Sequence, residues 1–474
     1  MIMDGDAREN RLRLSGDPHR PLYHFLPPCN WMNDPNGLIQ WGGRYHLFYQ
    51  HNPVSASWGV IHWGHAVSQD MFHWEDYPVA LSPTPGSWDQ SGCWSGSAVN
   101  YHHIPTLIYT ARNGEEETVC LATSQDDLVT WQKHPRNPIL VYPPKGVTLS
   151  GFRDPFVWQN GSGWNMIIGS GYPGKGGVVF LYHSNDLMRW ELGGPLLEWE
   201  NLDYGEMWEC PNLLRFGEKY LLLVSVMGQS RVVYFIGDYQ GGRFTLQQHG
   251  TFDAGGSFYA PLGFYDETGR AIVFGWVWEG RSRAAQLAAG WAGVQALPRQ
   301  LSLEQNGGLK IEPIKEIETI RHNICDVGRV TVDADHEMVL PFSGNCLEIC
   351  LAAAISKNSC GIRILCAPDG SEFTEIGYDC QNGTLYIDRR KSSLSPETIK
   401  DLREAKIDLA KKERLELRIF VDRSIVEVFA NKQWCLTSRV YPENNSSLNV
   451  CLFSKQGETT FSEVRCWQME RIWP

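Results

Sequence analysis

No stretch of the 474-residue chain approaches the roughly 20 consecutive apolar residues of a membrane-spanning helix. The opening MIMDGDARENRLRLSGDPHR is polar and carries acids where a secretion leader would have a basic tip and an apolar run. Cationic excess is missing as well. A formal net charge of −12 sets the chain against nucleic acid and anionic membranes as partners and leaves a small neutral substrate as the better fit. Paired cysteines are lacking: none of the 13 stands in a C-x-x-C, and nine fall between Cys325 and Cys466. That usage excludes a disulfide framework and a zinc site, and it predicts reduced, mostly buried thiols in a cytoplasmic protein. Residues 1–19 are expected to form a mobile tail.

Several chemical signatures are also absent. The chain has no G-x-S-x-G elbow and no phosphate loop, since GKGG at 174–177 lacks the rest of one. No closely spaced D-x-D-x-D loop offers a calcium site. Neither a metal nor a cofactor is expected. His62, His65 and His73, set among Trp residues on predicted strands and turns, read as structural hydrogen-bonding groups.

What the chain does have is aromatic and turn-forming residues: 19 Trp, 46 Gly and 26 Pro. The length exceeds the ~250–300 residues at which a single core stops growing, so two domains are expected. A repeat runs through the first 300 residues. SQDMFHW (68–74), SQDDLVTW (124–131) and SNDLMRW (184–190) place their terminal Trp residues 57 and 59 positions apart. Between them recur units such as DPNGLIQWGGRYHLFYQ and ECPNLLRFGEKYLLLVS, each two apolar runs about a Gly-rich turn, the pattern of a β-hairpin. With Asp34, Ser95, Asp154, Glu209 and Tyr259 as openings, the intervals are 61, 59, 55 and 50 residues. A period of this size predicts a β-propeller, here with five blades.

In a propeller the first strand of every blade lines the central channel, so equivalent positions converge on one axis. Asp34, Asp154 and Glu209 would then form one cluster of carboxylates. Like charges at close range raise the pKa of at least one member. Glu209, flanked by Trp208, Met207, Cys210 and Pro211, is expected to be that member. Asp34 beside Asn33 and Asn36, and Asp154 beside Arg153, are expected to favour the ionised form. A protonated Glu facing an ionised Asp is what glycoside cleavage requires.

These residues lie in recognisable motifs. WMNDPNG, FYQHNP (48–53), WGHAVSQDMFHWE (63–75), WSGSA (94–98), FRDP (152–155), WECPN (208–212), FYAP (258–261) and Gly275-Trp276 resemble, in order, those of glycoside hydrolase family 32, the invertases, inulinases and levanases. The similarity continues through GWAGVQALPRQLSL (290–303) to VDRSIVEVFAN (421–431) and TSRVYP (437–442). The resemblance implies an all-β fold: a five-bladed propeller over residues 20–300, a linker with a short helix over 301–335, and a β-sandwich over 336–474. It also implies retaining cleavage of terminal β-D-fructofuranosides such as sucrose, with Asp34 as nucleophile, Glu209 as acid/base and Asp154 stabilising the transition state. Asp34 and Glu209 would then stand roughly 5–5.5 Å apart. Asn33, Gln50, Trp58, Trp94, Ser95, Arg153 and Trp276 match sugar-binding positions.

Two residues depart from the family pattern: Ser257 stands where Asp is frequent, and Trp94 where Phe is common. Fructosyl transfer, hydrolysis of phosphorylated sucrose and a silent fructan-binding role are the alternatives. The phosphorylated substrate would need a cation at the rim, for which Arg112 and Lys175 are candidates. The second domain reads as support for the first and as one wall of the substrate entrance.

Overall fold

The computed structural model describes residues 6–141, 146–354, 358–407, 409 and 414–473. Through residue 313 the chain forms five antiparallel meanders, each with four main strands in sequence order. Their first strands are Asn30–Trp41, Gly92–Tyr101, Phe152–Asn160, Trp208–Phe216 and Phe258–Tyr265. These five touch one another in cyclic order, the fifth lying against the first. The SQD and SND repeats are the turns between the third and fourth strands of sheets one to three. In the first, the Ser68 hydroxyl accepts the N–H groups of Asp70 and Met71, Asp70 accepts those of Phe72 and His73, and the Trp74 indole donates to the Met71 carbonyl. Ser and Asp recur there because their short side chains satisfy a turn's backbone donors.

The ring is closed by a crosslink. Trp291–Ala292 pairs in parallel with Asn30–Trp31 of sheet one, and Val294–Gln295 pairs with the second strand of sheet five. Gly293 between them has φ +84°, and a Cβ there would collide with the Met32 carbonyl oxygen, so only glycine allows the approach. Sheet five takes its outer strands from Arg299–Leu303 and Leu309–Pro313.

The expected linker at 301–335 is therefore corrected. EQNGG (304–308) is a hairpin turn of sheet five, a 3₁₀ turn at Lys315–Ile320 makes the connection, and Arg321–Asp326 and Val330–Val332 already belong to the second domain. That domain is two packed sheets of seven and six strands around their own core. The expected mobile tail is corrected over residues 6–19, residues 1–5 lying outside the described residues. Ala7–Leu14 is a helix whose Arg11 makes a two-pronged ion pair with Asp76 at 2.7 Å and lies 3.7 Å over the Trp473 ring, which anchors residues 6–19.

Buried charge fastens the domains together. Asp422 accepts the backbone N–H groups of Leu22, Tyr23 and His24 at 2.7 to 3.0 Å. The His24 ring bridges Asp422 and Glu427 at 2.8 and 3.1 Å. Burial opposes its charged form, but hydrogen bonds to two carboxylates outweigh that and raise its pKa. Arg299, wholly buried, spans Asp253 of sheet four and Glu427 of the second domain at 2.9 and 2.8 Å. Removing Asp422 strands three backbone N–H groups and leaves the His24 ring with Glu427 alone. Asp422→Ala should cost about 3–5 kcal/mol of unfolding free energy, read from urea denaturation followed by tryptophan fluorescence.

Candidate active site

Each first strand breaks its ladder at the same level. The register slips between Met32 and Pro35, Trp94 and Gly96, Arg153 and Phe156, Glu209 and Asn212, and Tyr259 and Leu262. The residues left unpaired include Asp34, Ser95, Asp154, Cys210 and Ala260, each followed by Pro or Gly. Proline has no N–H to waste at a bulge, and a bulge re-aims the side chain beside it. Asp154, Cys210 and Ala260 take φ of 64°, 48° and 46°, a conformation that costs of order 1–3 kcal/mol each in a residue with a side chain.

This register corrects the expected equivalence of the three acids. Asp34 and Asp154 do share a level, but Cys210 is their counterpart in sheet four. Glu209 lies one residue earlier, level with Asn33, Trp94, Arg153 and Tyr259.

The two levels meet in a cavity of about 370 Å³. It is lined by the expected Asn33, Asp34, Gln50, Trp58, Trp94, Arg153, Asp154, Glu209 and Trp276. Ser95 is buried directly below, donating to Asp34 Oδ2 at 2.6 Å and accepting from Gln50 at 2.5 Å. Asn33 donates to Asp34 Oδ1 at 3.0 Å and Gln50 to Oδ2 at 3.2 Å. Asp154 Oδ2 accepts the Cys210 backbone N–H at 2.9 Å, and the Cys210 thiol lies 3.5 Å from Asp154 and 3.6 Å from Asp34. Glu209 Oε1 accepts two bonds from Arg153 at 3.1 and 2.7 Å, and Oε2 accepts the Tyr259 hydroxyl at 2.6 Å.

These contacts correct the expected electrostatics of the two aspartates. Successive strand residues face opposite ways, so Trp208 goes into the core and the apolar flank read around Glu209 does not surround its carboxylate. Arg153, expected to hold Asp154 ionised, gives its hydrogen bonds to Glu209 and Glu117 instead. Both aspartates are raised. Burial lifts Asp34 to about 6, with Ser95 opposing the shift and the charge of Glu209 adding to it. Burial lifts Asp154 to about 7, moderated by the field of Arg153 and reinforced by Glu209 and Asp34.

The aromatic wall is wider than anticipated. Trp31, Tyr259 and Trp278 line the cavity beside Trp276, which stacks on Trp278 at 4.4 Å and meets Trp31 edge-on at 5.7 Å. The indole N–H groups of Trp94, Trp276 and Trp278 have no protein partner. Tyr259 had a sequence signal, since it opens the fifth repeat unit. Met227 and Gly228, from a turn, had none. Ser257 does not line the cavity, and neither does any described residue of the second domain, so its expected role as an entrance wall is not seen. Arg112 is committed to carboxylates and stacks 4.3 Å over Trp94, and Lys175 lies away from the cavity.

Asp34 holds its proton more tightly in the folded chain than in the unfolded one. The stability it contributes is therefore greatest below its ordinary value of 3.8 and is lost as pH rises through about 6. Asp34→Asn should gain on the wild type across that window by about 3 kcal/mol and then level off. Urea titrations of both proteins at about pH 4, 6 and 8 measure the difference.

Residues 24–313 match the model of the glycosyl hydrolases family 32 N-terminal domain, and residues 316–468 match that of the family's C-terminal domain. The chain is 35% identical to a sucrose-6-phosphate hydrolase of Escherichia coli, over 96% of each chain. It is 34% identical to a raffinose invertase of Escherichia coli over 98% of each. A solved structure of fructan 1-exohydrolase IIa from Cichorium intybus, a variant in complex with 1-kestose, superposes with a TM-score of 0.88 at 28% identity, covering 96% of this chain and 98% of that one. With both domain models matched end to end over the two domains described above, the chain belongs to glycoside hydrolase family 32.

Proposed function

We propose that the five sheets are the blades of a propeller whose mouth cleaves terminal β-D-fructofuranosides by retaining double displacement. The observation that carries this reading is the convergence of Asp34, Asp154 and Glu209 on one tryptophan-walled cavity of small-molecule size. Asp34 is the nucleophile. Its Oδ2 is occupied by Ser95 and Gln50, while Oδ1 has only Asn33 and keeps a lone pair for the anomeric C2. As the Asp34–C2 bond forms, the C2–O bond to the leaving group breaks and Glu209 delivers a proton to the departing oxygen. Water then attacks C2, Glu209 takes its proton, and the ester to Asp34 opens with the configuration at C2 retained. Asp154 holds fructose hydroxyls, and the tryptophan rings cover C–H faces of the sugar.

Unphosphorylated sucrose or a short fructo-oligosaccharide fits this cavity better than sucrose phosphate. Arg153 is the one Lys or Arg among the described lining residues, and Glu117 and Glu209 already claim it. The relatives support fructoside substrates generally: the Cichorium complex holds 1-kestose, and the bacterial proteins are named for sucrose phosphate and raffinose. Among the described residues no helix is long and apolar enough to cross a membrane, and no disulfide is present. The second fact supports a cytoplasmic site of action.

Glu209→Gln should lower kcat/KM on sucrose by about 10²–10⁴-fold and much less on 4-nitrophenyl β-D-fructofuranoside, whose leaving group needs no proton. Asp34→Ala should abolish turnover of both. In the wild type, kcat/KM should fall on the acid side near pH 6, where Asp34 gains its proton, instead of near its ordinary 3.8. Early product analysed by NMR should be β-fructofuranose, and release of the α anomer would overturn the retaining mechanism.

A further inference from the structure

A row of alternating charge leads from Glu209 out of the cavity wall. Arg153 sends Nε and Nη2 to Glu209 and Nη1 to both oxygens of Glu117, at 3.0 and 3.4 Å. Glu117, in the third strand of sheet two, also accepts Arg112 Nη1 at 3.1 Å and the backbone N–H of Phe152 at 2.7 Å. Neither Glu117 nor Arg112 lines the cavity. Glu117 is nonetheless nearly buried, its side chain 9% exposed, which is unusual for an acid within the run Glu-Glu-Glu.

One guanidinium carries one charge, and here two carboxylates divide it. Glu117 has a second cation in Arg112, whereas Glu209 pairs among the described residues with Arg153 alone. We infer that Glu117, balanced by Arg112, is a positioning residue that sets how much of the Arg153 field reaches Glu209 and so the pH at which Glu209 can still donate its proton. The inference rests on the reading of Glu209 as the acid/base. The other titratable groups around Glu209 are Asp34 and Asp154 from sheets one and three, Cys210 on its own strand and Tyr259 from sheet five, and neither Glu117 nor Arg112 touches any of them through a hydrogen bond or ion pair described here. Removing the charge of Glu117 turns Arg153 fully on Glu209 and favours its ionised form. Removing Arg112 leaves Glu117 to draw on Arg153 and favours the protonated form. The two changes act with opposite sign.

The test is the high-pH limb of kcat/KM, measured on sucrose for wild type, Glu117→Gln, Arg112→Gln and Arg112→Lys. Glu117→Gln should move the limb to lower pH by roughly half a unit or more, and Arg112→Gln should move it to higher pH by a similar amount. Arg112→Lys, which keeps the charge, should return the limb toward wild type. If Glu117→Gln does not fold, the two Arg112 variants decide alone. Equal losses of rate with an unmoved limb, or shifts of the same sign, overturn the inference. A Glu209→Gln enzyme that keeps the wild-type limb would instead overturn the acid/base reading itself, so the two failures are distinguishable.

Discussion

Everything in the site depends on one backbone event repeated around a ring, the loss of ladder pairing at a single level of five inner strands. A regular strand would alternate its side chains between the two faces of each sheet and would aim none of them along the axis. The bulge supplies the missing direction. It also has a cost, because three non-glycine residues take left-handed backbone angles there. Such strain persists only where the surroundings overdetermine the geometry. Here the surroundings are a closed ring, with the 291–295 segment stitching sheet five to sheet one.

The same bulges place two aspartates where solvent is scarce, and the nearby cation reaches Asp154 only through its field, its hydrogen bonds to carboxylates going elsewhere. Arg153 serves Glu209 and Glu117, so Asp34 and Asp154 rely on neutral donors: amides, a hydroxyl, a thiol and one backbone N–H. Neutral donors orient a carboxylate without cancelling its charge. The outcome is a pair of poorly solvated carboxylates held at the expense of folding free energy.

Much of this was legible in the sequence because turn chemistry and period are local. The DP, SG, DP, CP and AP dipeptides mark the bulges, the SQD and SND turns mark the outer hairpins, and together they give the ring. The errors came from one-residue register. Glu209 and Cys210 are adjacent in sequence, and nothing local says which of them is level with Asp34, since that depends on where the bulge falls. The misread surroundings of Glu209 have the same origin: neighbours along a strand are not neighbours in space. Glu117 was hidden for another reason. An acid in EEETVC reads as a solvated face, and only the approach of sheet three buries it. The linker was misplaced because EQNGG looks alike as a connection and as a hairpin turn.

The second domain contributes no described residue to the cavity, yet it is mechanically joined to Glu209. Asp253 accepts the Thr437 backbone N–H at 2.9 Å, and Ser257 donates its own N–H to the Thr437 carbonyl at 3.1 Å. The Ser257 carbonyl accepts the Trp278 backbone N–H at 2.7 Å, fixing the strand that carries Trp276. Two residues beyond Ser257 stands Tyr259, whose hydroxyl holds Glu209 Oε2. One edge of the sandwich thus grips the base of sheet five where that sheet presents both a tryptophan wall and the phenol that holds the Glu209 carboxylate. Buried ion pairs are poor sources of net stability but good sources of fixed orientation. Their concentration along this junction, at Arg299, Asp253, Glu427 and His24, fixes the orientation of sheet five, and with it the Tyr259 phenol, from behind.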